Sequence, residues 1–467
     1  MTLSDLPKTK VAPTYRNSPA PMYQNIIAQD PGAAPAIMRE YSEVEVNTPA
    51  VPREQYTSQA FFDLEVERMW SRVWQVGCRE EQIPEPGDCV LYEAPGASLM
   101  IVRLNSGRIK AFYNSCLHRG MKLCATNTSV RQFRCPFHGL TWNLDGTLAR
   151  VPARWDFDSF RDEDMSLPEA KTGIWGGFVF VNRDPDAPPL DEYLGRLVND
   201  FADWPRDAVY LAANITKVIN ANWKACIEAF MEAYHVAELH SEALPFGGDS
   251  STQYDIWPDN ENVSRFIEPV GVPSDQYPTP MTEQQVLAAM HTVVTGEKSA
   301  PELPEGVSAR AYMADLSRKA MSDRDGRDYS QLSDAEALDP MQYSVFPNFI
   351  VFRGLGYPFA YRFRPLGNDP GRTIFDFMVF KFKPTDGSAI PEVQQIDLGP
   401  NDLYADAGIL PPWQGHIYDQ DSAGLAQLQA GLSAGSKSKV IFTRYQEVRL
   451  RFLHQTLSRY LAMPPVA

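Results

Sequence analysis

The sequence predicts an α+β protein: a small all-β domain, and a larger domain in which an antiparallel β-sheet is flanked by helices. Three observations carry this. The chain has 467 residues, beyond the roughly 250–300 at which one hydrophobic core stops growing, so two domains are expected. Between about 80 and 165, short strand-like runs alternate with turn signals: Pro86-Gly87, Pro95-Gly96, Asn105-Ser106-Gly107 and the hairpin pair Asp145-Gly146. Beyond about 198, strand text such as "YSVFPNFIVF", "PFAYRFRPLG" and "RTIFDFMVFKF" is mixed with helical text. Hydrophobic residues make up 44% and charged residues 22%, so a large core is available.

The elements follow in order. Residues 1–40 are rich in Pro, Ala and Asn without periodicity and read as an extended arm, suited to wrapping a neighbour. Residues 41–80 form a helical part of the larger domain, with "SQAFFDLEVERMWSRVW" as a helix capped by Ser58. The β domain takes 81–170, and "GIWGGFVFVN" continues as a strand. The larger domain takes 171–467. It contains the strand "ITKVINANW" and then one helix, "KACIEAFMEAYHVAELH". Residues 245–340 are Pro-, Gly- and Asp-rich with helical islands, and read as a long insertion over a site. A long amphipathic helix, "SKVIFTRYQEVRLRFLHQTLSRYLA", ends the chain.

Charge and composition exclude several functions. The net charge is −16 without a basic run, which repels phosphate backbones and argues against nucleic-acid binding. No apolar stretch reaches the ~18 residues of a membrane span. The first residues lack the apolar core of a secretory signal, so a cytoplasmic protein is expected. The six cysteines do not suggest a disulfide scaffold.

Histidine is scarce, with seven in all, and four fall into two motifs. "NSCLHRG" supplies Cys116 and His118, and "FRCPFHGLTW" supplies Cys135 and His138, with sixteen residues between the pairs. Zinc fingers of the ββα type place two Cys first and two His after. Here each turn offers one thiolate and one imidazole, which suits a two-iron cluster with Cys on one iron and His on the other, the Rieske [2Fe–2S] pattern. A structural zinc site is the alternative. Cys124, between the pairs, reads as an ordinary buried thiol.

A cluster that moves single electrons needs an acceptor. The 223–240 helix carries Glu228, Glu232, His235, Glu238 and His240. Two His and one carboxylate on one face of Fe(II) leave positions open for dioxygen and substrate. Asp419 and Asp421, at the start of an amphipathic stretch, are candidate third ligands, although an Asp at a helix start is ordinarily a cap. His291 and His454 read as core or surface residues. The spacing of His235 and His240 is awkward. A four-residue step rotates a side chain by about 40° on a helix, and a five-residue step by roughly 140°. A π-type bulge or a helix end is therefore expected between them.

These motifs resemble the catalytic α subunit of Rieske non-heme iron aromatic ring-hydroxylating oxygenases. The resemblance begins at "FFDLEVERMWSRVWQVGCREEQIPEPGDCVLYE", runs through the cluster motifs and "NWKACIEAFMEAYHVAELH", and resumes at "VFPNFIVF", "RFRPLG" and "RYQEVRLRFLH". It implies a Rieske domain joined to a helix-grip, START-like catalytic domain. It implies Cys116, His118, Cys135 and His138 as cluster ligands, and a mononuclear Fe(II) on His235, His240 and Asp421, with Asp419 as the fallback. Asp421 is preferred because it precedes Gln429-Ala430-Gly431-Leu432 by the spacing seen in related chains. Glu232 stands where the family has a bridging carboxylate, expected to link His235 to the His138 of a neighbouring subunit. That implies a homotrimer, or an α3β3 assembly with a small subunit. Ala229 replaces a common Asn.

The implied activity is that of a terminal oxygenase. It uses O2 and electrons from NAD(P)H, passed by a separate reductase directly or through a ferredoxin, to hydroxylate an apolar, aromatic substrate. Cis-dihydroxylation is the expected outcome, and monohydroxylation or O/N-demethylation the alternative. A Rieske electron carrier without mononuclear iron is the alternative of another class. Phe230, Tyr234, Phe346, Phe349, Phe352 and Trp413 suit an apolar cyclic substrate, or an ordinary core.

Overall fold

The computed structural model describes residues 16, 18–42, 44–158, 161–205, 208–384 and 388–466. Residues 1–15 and 17 of the predicted arm lie outside them. The rest of that segment is not extended. It forms short helices at Tyr23–Ile27 and Ala36–Arg39 and packs on its own chain. Tyr23 is buried in the main core, and its hydroxyl donates to Asp339 Oδ2 at 2.9 Å. Burying a side chain of that size stabilises by roughly 1.5–3 kcal/mol, which a free arm would forgo.

The small domain is built on a seven-stranded sheet, in the order Gln75–Arg79, Phe178–Asn182, Glu169–Trp175, Ile109–Tyr113, Ala97–Arg103, Asp88–Ala94 and Thr128–Ser129. A three-stranded sheet of Gln132–Arg134, Thr141–Asn143 and Leu148–Arg150 completes it. The first sheet extends past the expected 81–170 at both ends. "GIWGGFVFVN" is a hairpin rather than one strand: Gly176 and Gly177, both at positive φ, turn the chain where a Cβ would be strained. The Asp145-Gly146 turn forms as predicted, with Asp145 Oδ1 accepting from Thr147 N at 3.0 Å.

The larger domain centres on an eight-stranded sheet. Its order is Gln253–Trp257, Asn260–Ile267, Met341–Val345, Phe349–Phe352, Phe359–Leu366, Asp369–Phe382, Val209–Ile219 and Gln394–Leu398. All pairings are antiparallel except the last. Two of these strands, Gln253–Trp257 and Asn260–Ile267, lie inside the segment expected to be an insertion, so only its helical part is added to the fold. The helices Glu283–Thr295 and Ala309–Asp325 stand there, each with a hydroxyl N-cap, Thr282 and Ser308.

A cross-strand row runs over one face: Ser264, Ser344, Ile350, Tyr361, Phe377 and Ile215 sit opposite one another in turn. The long helix Pro412–Ala434 packs on this row. Tyr418 lies 4.7 Å from Phe377, ring centre to ring centre, and meets Tyr361 hydroxyl to hydroxyl. The helix starts on Pro412, whose missing N–H costs nothing at a first turn.

Two predicted helices are shorter than expected. In the final segment, Lys439–Ile441 is a strand paired with Ala50–Pro52, and the helix is Val448–Leu461. Near the histidines, the single 223–240 helix is two pieces. Trp223–Ala229 is capped by Asn222, whose side chain accepts from Lys224 N. A turn follows, and then the one-turn helix Val236–Leu239.

Candidate metal centres

The two Cys/His motifs form matching loops. In each, the Cys N–H donates across the loop, Cys116 to Met121 O and Cys135 to Leu140 O, both at 2.8 Å. In each, a glycine at positive φ, Gly120 or Gly139, turns the chain and donates its N–H back to the Cys carbonyl. Both Cys are buried in the small domain's core, while His118 and His138 lie towards the surface. The imidazoles converge, with Nδ1 to Nδ1 at 3.2 Å. The thiols lie within hydrogen-bonding reach of each other. Burial raises the Cys116 thiol, and the backbone N–H groups of His118 and Arg119 oppose it. The N–H groups of Phe137, His138 and Gly139 likewise favour the Cys135 thiolate against its burial, together with the Cys116 side chain. N–H groups aimed at thiolates are the hydrogen bonds expected to tune a cluster. Two sulfurs on the inner side and two imidazole nitrogens on the outer side fit a two-iron cluster. Cys124 is buried, as expected, and shares a hydrogen bond with Cys89.

The second group is assembled from distant parts of the chain. His235, His240 and Asp421 each present one ligand atom, and the three atoms lie within 4.8 Å of one another. His240 Nε2 is 3.0 Å and His235 Nε2 3.6 Å from Asp421 Oδ1. The remaining ring nitrogens are tied. His235 Nδ1 meets Glu232 Oε1 at 2.6 Å, and His240 Nδ1 meets Gln420 Oε1 at 2.7 Å. With the proton on Nδ1, each ring turns its Nε2 lone pair to the shared centre, the orientation that outer-shell partners impose on metal-binding His. Burial disfavours both imidazolium forms, yet the carboxylates outweigh it. Glu232 and Asp421 hold His235 up at about 9, and Asp421 raises His240. A site that concentrates proton affinity in this way is poised for a cation. Two imidazoles and a carboxylate on one side suit Fe(II) with open positions opposite.

The five-residue spacing is resolved by the second of the two expected features, a helix end: the one-turn helix Val236–Leu239 stops at Leu239, with His240 as its C-cap. No π-type bulge lies between 235 and 240. The long helix has already ended at Ala229, and His235 and His240 flank a single helical turn. His240 has left helical geometry, at φ −124° and ψ 46°. That departure swings its ring round to the side of His235, with ring centres 5.2 Å apart. Glu232 holds the turn by accepting from Tyr234 N and from His235 N. Gly424 admits the ligand-bearing helix: a Cβ there would stand 3.3 Å from the Leu239 methyls.

Asp419 points away from the histidines. Its carboxylate accepts from Tyr404 N at 2.7 Å and Ala405 N at 3.2 Å. Sequence reading overlooked Gln420; no spacing rule marks a Gln beside a ligand. His454 Nε2 is held at 2.7 Å by Glu228 and at 2.9 Å by Tyr56, and His291 is half-bonded to Thr295. Neither joins the three converging side chains.

A cavity of about 1410 Å³ is lined by none of the three ligands themselves, but by Glu242, two residues after His240, and by Ile417, one helical turn before Asp421. It is walled by Glu242, Phe246, Trp413, Gln414, His416 and Ile417, and by Met290, Val294, Met313 and Leu316 from the insertion helices. Of the six aromatics proposed for a substrate, Trp413 lines this cavity. Phe346, Phe349 and Phe352 are buried core, and Tyr234 is 44% exposed. Phe230 stacks within 6.0 Å of Tyr418 and Tyr361, beneath the site.

Residues 200–463 match the family described as Ring hydroxylating alpha subunit (catalytic domain), and residues 73–161 match the Rieske [2Fe-2S] domain. The chain belongs to the ring-hydroxylating alpha subunit family, whose cofactors are a Rieske [2Fe–2S] cluster and a mononuclear iron. It is 35% identical over 187 residues to the biphenyl 2,3-dioxygenase subunit alpha of Rhodococcus jostii (strain RHA1), covering 38% of this chain and 41% of that one. It is 30% identical over 193 residues to the carnitine monooxygenase oxygenase subunit of Acinetobacter baumannii, covering 40% and 52%. The chain thus spans about two fifths to a half of the length of the curated relatives it matches. The fold is shared with a quaternary ammonium Rieske monooxygenase in complex with L-carnitine, at TM-score 0.62 and 17% identity over 89% of this chain and 96% of that one. It is shared too with a naphthalene 1,2-dioxygenase from Rhodococcus sp., at TM-score 0.58 and 19% identity over 89% and 95%. Among the described residues, no helix is long and apolar enough to cross a membrane.

Proposed function

We propose that the chain is the terminal component of an oxygenase system, hydroxylating an apolar, aromatic substrate with O2. Electrons come from NAD(P)H through a separate cytoplasmic reductase, directly or by way of a ferredoxin. The observation that carries this reading is the convergence of His235 Nε2, His240 Nε2 and Asp421 Oδ1, both other ring nitrogens being tied down. When bound, the cluster supplies one-electron transfer and the mononuclear iron supplies dioxygen activation. The protein's own residues hold and aim. Cys116, Cys135, His118 and His138 hold the cluster at the small domain's edge. Glu232 and Gln420 fix the two imidazoles. The predominantly apolar cavity admits the substrate and limits water beside the site. In a homotrimer or an α3β3 assembly, Glu232 connects His235 to the His138 of a neighbouring copy.

Cis-dihydroxylation is favoured by the apolar cavity, whose volume exceeds the ~300–1,000 Å³ of ordinary ligand pockets and suits a substrate of more than one ring. Monohydroxylation or demethylation is the second reading, favoured by the likeness to carnitine monooxygenase subunits. Metal analysis should find about three irons per chain, with a Rieske signal in the dithionite-reduced protein; two irons, or zinc alone, would refute the reading. Turnover under 18O2 with a generic reductase then separates the outcomes. Two labelled atoms in the product mean dihydroxylation, one means monohydroxylation, and an unlabelled dealkylated product with formaldehyde released means demethylation.

A further inference from the structure

The large cavity has two chemically different ends. Its charged lining consists of Glu242, Arg324, Asp325, Lys381 and Lys383. The first three have partners: Glu242 faces His416 at 3.8 Å, and Arg324 meets Asp325 at 2.7 Å. The two lysines have none. Both are exposed at the cavity's mouth, and among the described residues neither ammonium group meets a carboxylate or another acceptor. In a chain with 59 acidic and 43 basic side chains, a carboxylate is the easier neighbour to find.

Their placement follows from the strand Asp369–Phe382. Side chains two apart on a strand share a face. Phe377 faces the helix Pro412–Ala434, its ring 4.7 Å from that of Tyr418. Val379 and Lys381 continue that face. Lys383 extends it one step past the strand's end, where its N–H still donates to Ala208 O at 2.7 Å. Tyr210, the cross-strand neighbour of Lys381, brings a phenol to the same face and also lines the cavity. On the opposite face, Arg327 lays its guanidinium over Phe382 at 4.4 Å and adds a cation.

The helix fixes the direction. It runs antiparallel to the strand: Gln429, towards its far end, accepts from Asn222 N, and the Asn222 side chain donates to Pro370 O at the strand's start. Asp421 therefore lies on the Pro370 side of Tyr418, and the lysines lie on the other side. At ~3.3 Å per residue, Lys381 stands about 13 Å along the strand from Phe377, with Lys383 farther still. Phe359, opposite Val379, and Ile417, beside Tyr418, line the cavity with apolar surface. An apolar cavity thus opens, well away from the candidate iron ligands, on unmatched positive charge.

We propose that Lys381 and Lys383, with the Tyr210 hydroxyl beside them, hold the oxyanion of an elongated, otherwise apolar substrate whose far end is presented to His235, His240 and Asp421. The proposal rests on the oxygenase reading of the metal site and narrows its substrate class to long amphiphilic anions. A span of more than about 13 Å is too long for an amino-acid-sized acid to bridge. The two lysines are specificity-determining residues that touch the substrate's charge and not its reacting carbon. Two like charges in an apolar cleft focus their field on an incoming anion. Binding energy from that remote group then holds the reacting end in place.

The test uses pyrenebutyrate and its neutral counterpart pyrenebutanol, in equilibrium dialysis at low salt against anaerobic, iron-loaded protein. Wild type should bind the acid at least tenfold more tightly. Lys381→Met combined with Lys383→Met should bring that preference below twofold, with both metal centres and the affinity for the alcohol retained. Lys381→Arg combined with Lys383→Arg should keep it. Lys122→Met combined with Lys437→Met, which removes two exposed lysines that do not line the cavity, should also keep it. In bound pyrenebutyrate, Fe(II) in place of Zn(II) at the mononuclear site should speed proton relaxation more at the pyrene than at the methylene beside the carboxylate. Equal binding of acid and alcohol by wild type, or binding of neither, overturns the proposal without recourse to a variant. So does a preference that survives the Lys381/Lys383 methionine pair, or one lost equally in the Lys122/Lys437 pair. Loss of iron from the Lys381/Lys383 methionine pair overturns it by making the lysines structural, and the reverse order of relaxation, or no effect, by placing the anion elsewhere. Failure of the underlying oxygenase reading looks different: wild type would carry two irons per chain, while the preference for the acid would persist.

Discussion

The two metal-ligand groups of this chain are built on opposite plans. The Cys/His group is local. All four side chains come from two loops within 23 residues, each loop closed by its own backbone hydrogen bonds and its own glycine. The His/Asp group is assembled across the fold. His240 and Asp421 are 181 residues apart, and they meet because a helix lies across an antiparallel sheet. The inner ligands differ in setting as well. The Cys/His group buries its sulfurs and turns its imidazoles outward, where an electron can arrive. The His/Asp group buries His240 and Asp421, the latter on the helix whose Trp413, Gln414, His416 and Ile417 line an apolar cavity. The contrast teaches that a local site tolerates changes elsewhere in the fold, whereas the assembled one depends on every element that aims it.

Substitutions can break this comparison, the largest effects coming first. Cys135→Ala should abolish the visible absorption and the reduced-state EPR signal of the cluster and stop turnover, while metal analysis still finds the mononuclear iron. Asp421→Ala should do the reverse, removing one iron of three, ending turnover and leaving the Rieske spectrum unchanged. Asp419→Ala sharpens that result. Its carboxylate serves the backbone N–H groups of Tyr404 and Ala405 and faces Lys217 Nζ at 3.9 Å, not the histidines, so iron should remain, and denaturant unfolding should show a loss of about 1 kcal/mol, the usual worth of a cap.

Gln420→Leu should weaken Fe(II) binding by roughly 10–100-fold, the usual effect of losing an outer-shell partner, with the cluster untouched. The mildest test is pH. A bound imidazole must be neutral, and His235 stands at about 9 in the free site. Below about 9 it is protonated and Fe(II) must displace that proton, so affinity should rise about tenfold per pH unit and level off above. Glu232 is the main group holding His235 up, so Glu232→Gln should shift that levelling to lower pH. An Fe(II) titration at several pH values that shows no slope would mean that His235 does not bind the metal.

Legibility followed the same division. The cluster ligands were readable because two matched Cys/His turns are a pattern of neighbours along the chain. The iron histidines were readable as a pair, and so was a helix end between them, but the earlier break after Ala229 was not. Helical periodicity in "KACIEAFMEAYHVAELH" runs unbroken, while the chain breaks after Ala229 because Glu232 caps the N–H groups of Tyr234 and His235. Asp419 and Asp421 are two residues apart, a step that turns a helical side chain by roughly 160°, so only one of them can face the histidines. Choosing between them needed the position of the Tyr404–Ala407 segment, which occupies Asp419. The supposed insertion concealed two strands because polar residues fill buried strand positions: Gln253 and Asp255 in the wholly buried Gln253–Trp257, and Ser264 and Arg265 in the buried part of Asn260–Ile267.

The sequence by itself determined the class of fold, the chemistry of both ligand sets and the two loops that carry the cluster motifs. These depend on residue type and near-neighbour spacing, which the covalent chain preserves. Only the tertiary structure decided that Asp421 rather than Asp419 faces the histidines, that Gln420 and Glu232 fix their rings, and that the short helices Tyr23–Ile27 and Ala36–Arg39 pack on their own core. Those outcomes depend on which side chains meet once the sheet and helices have packed, and burial there turns a contact or a missing partner into several kcal/mol.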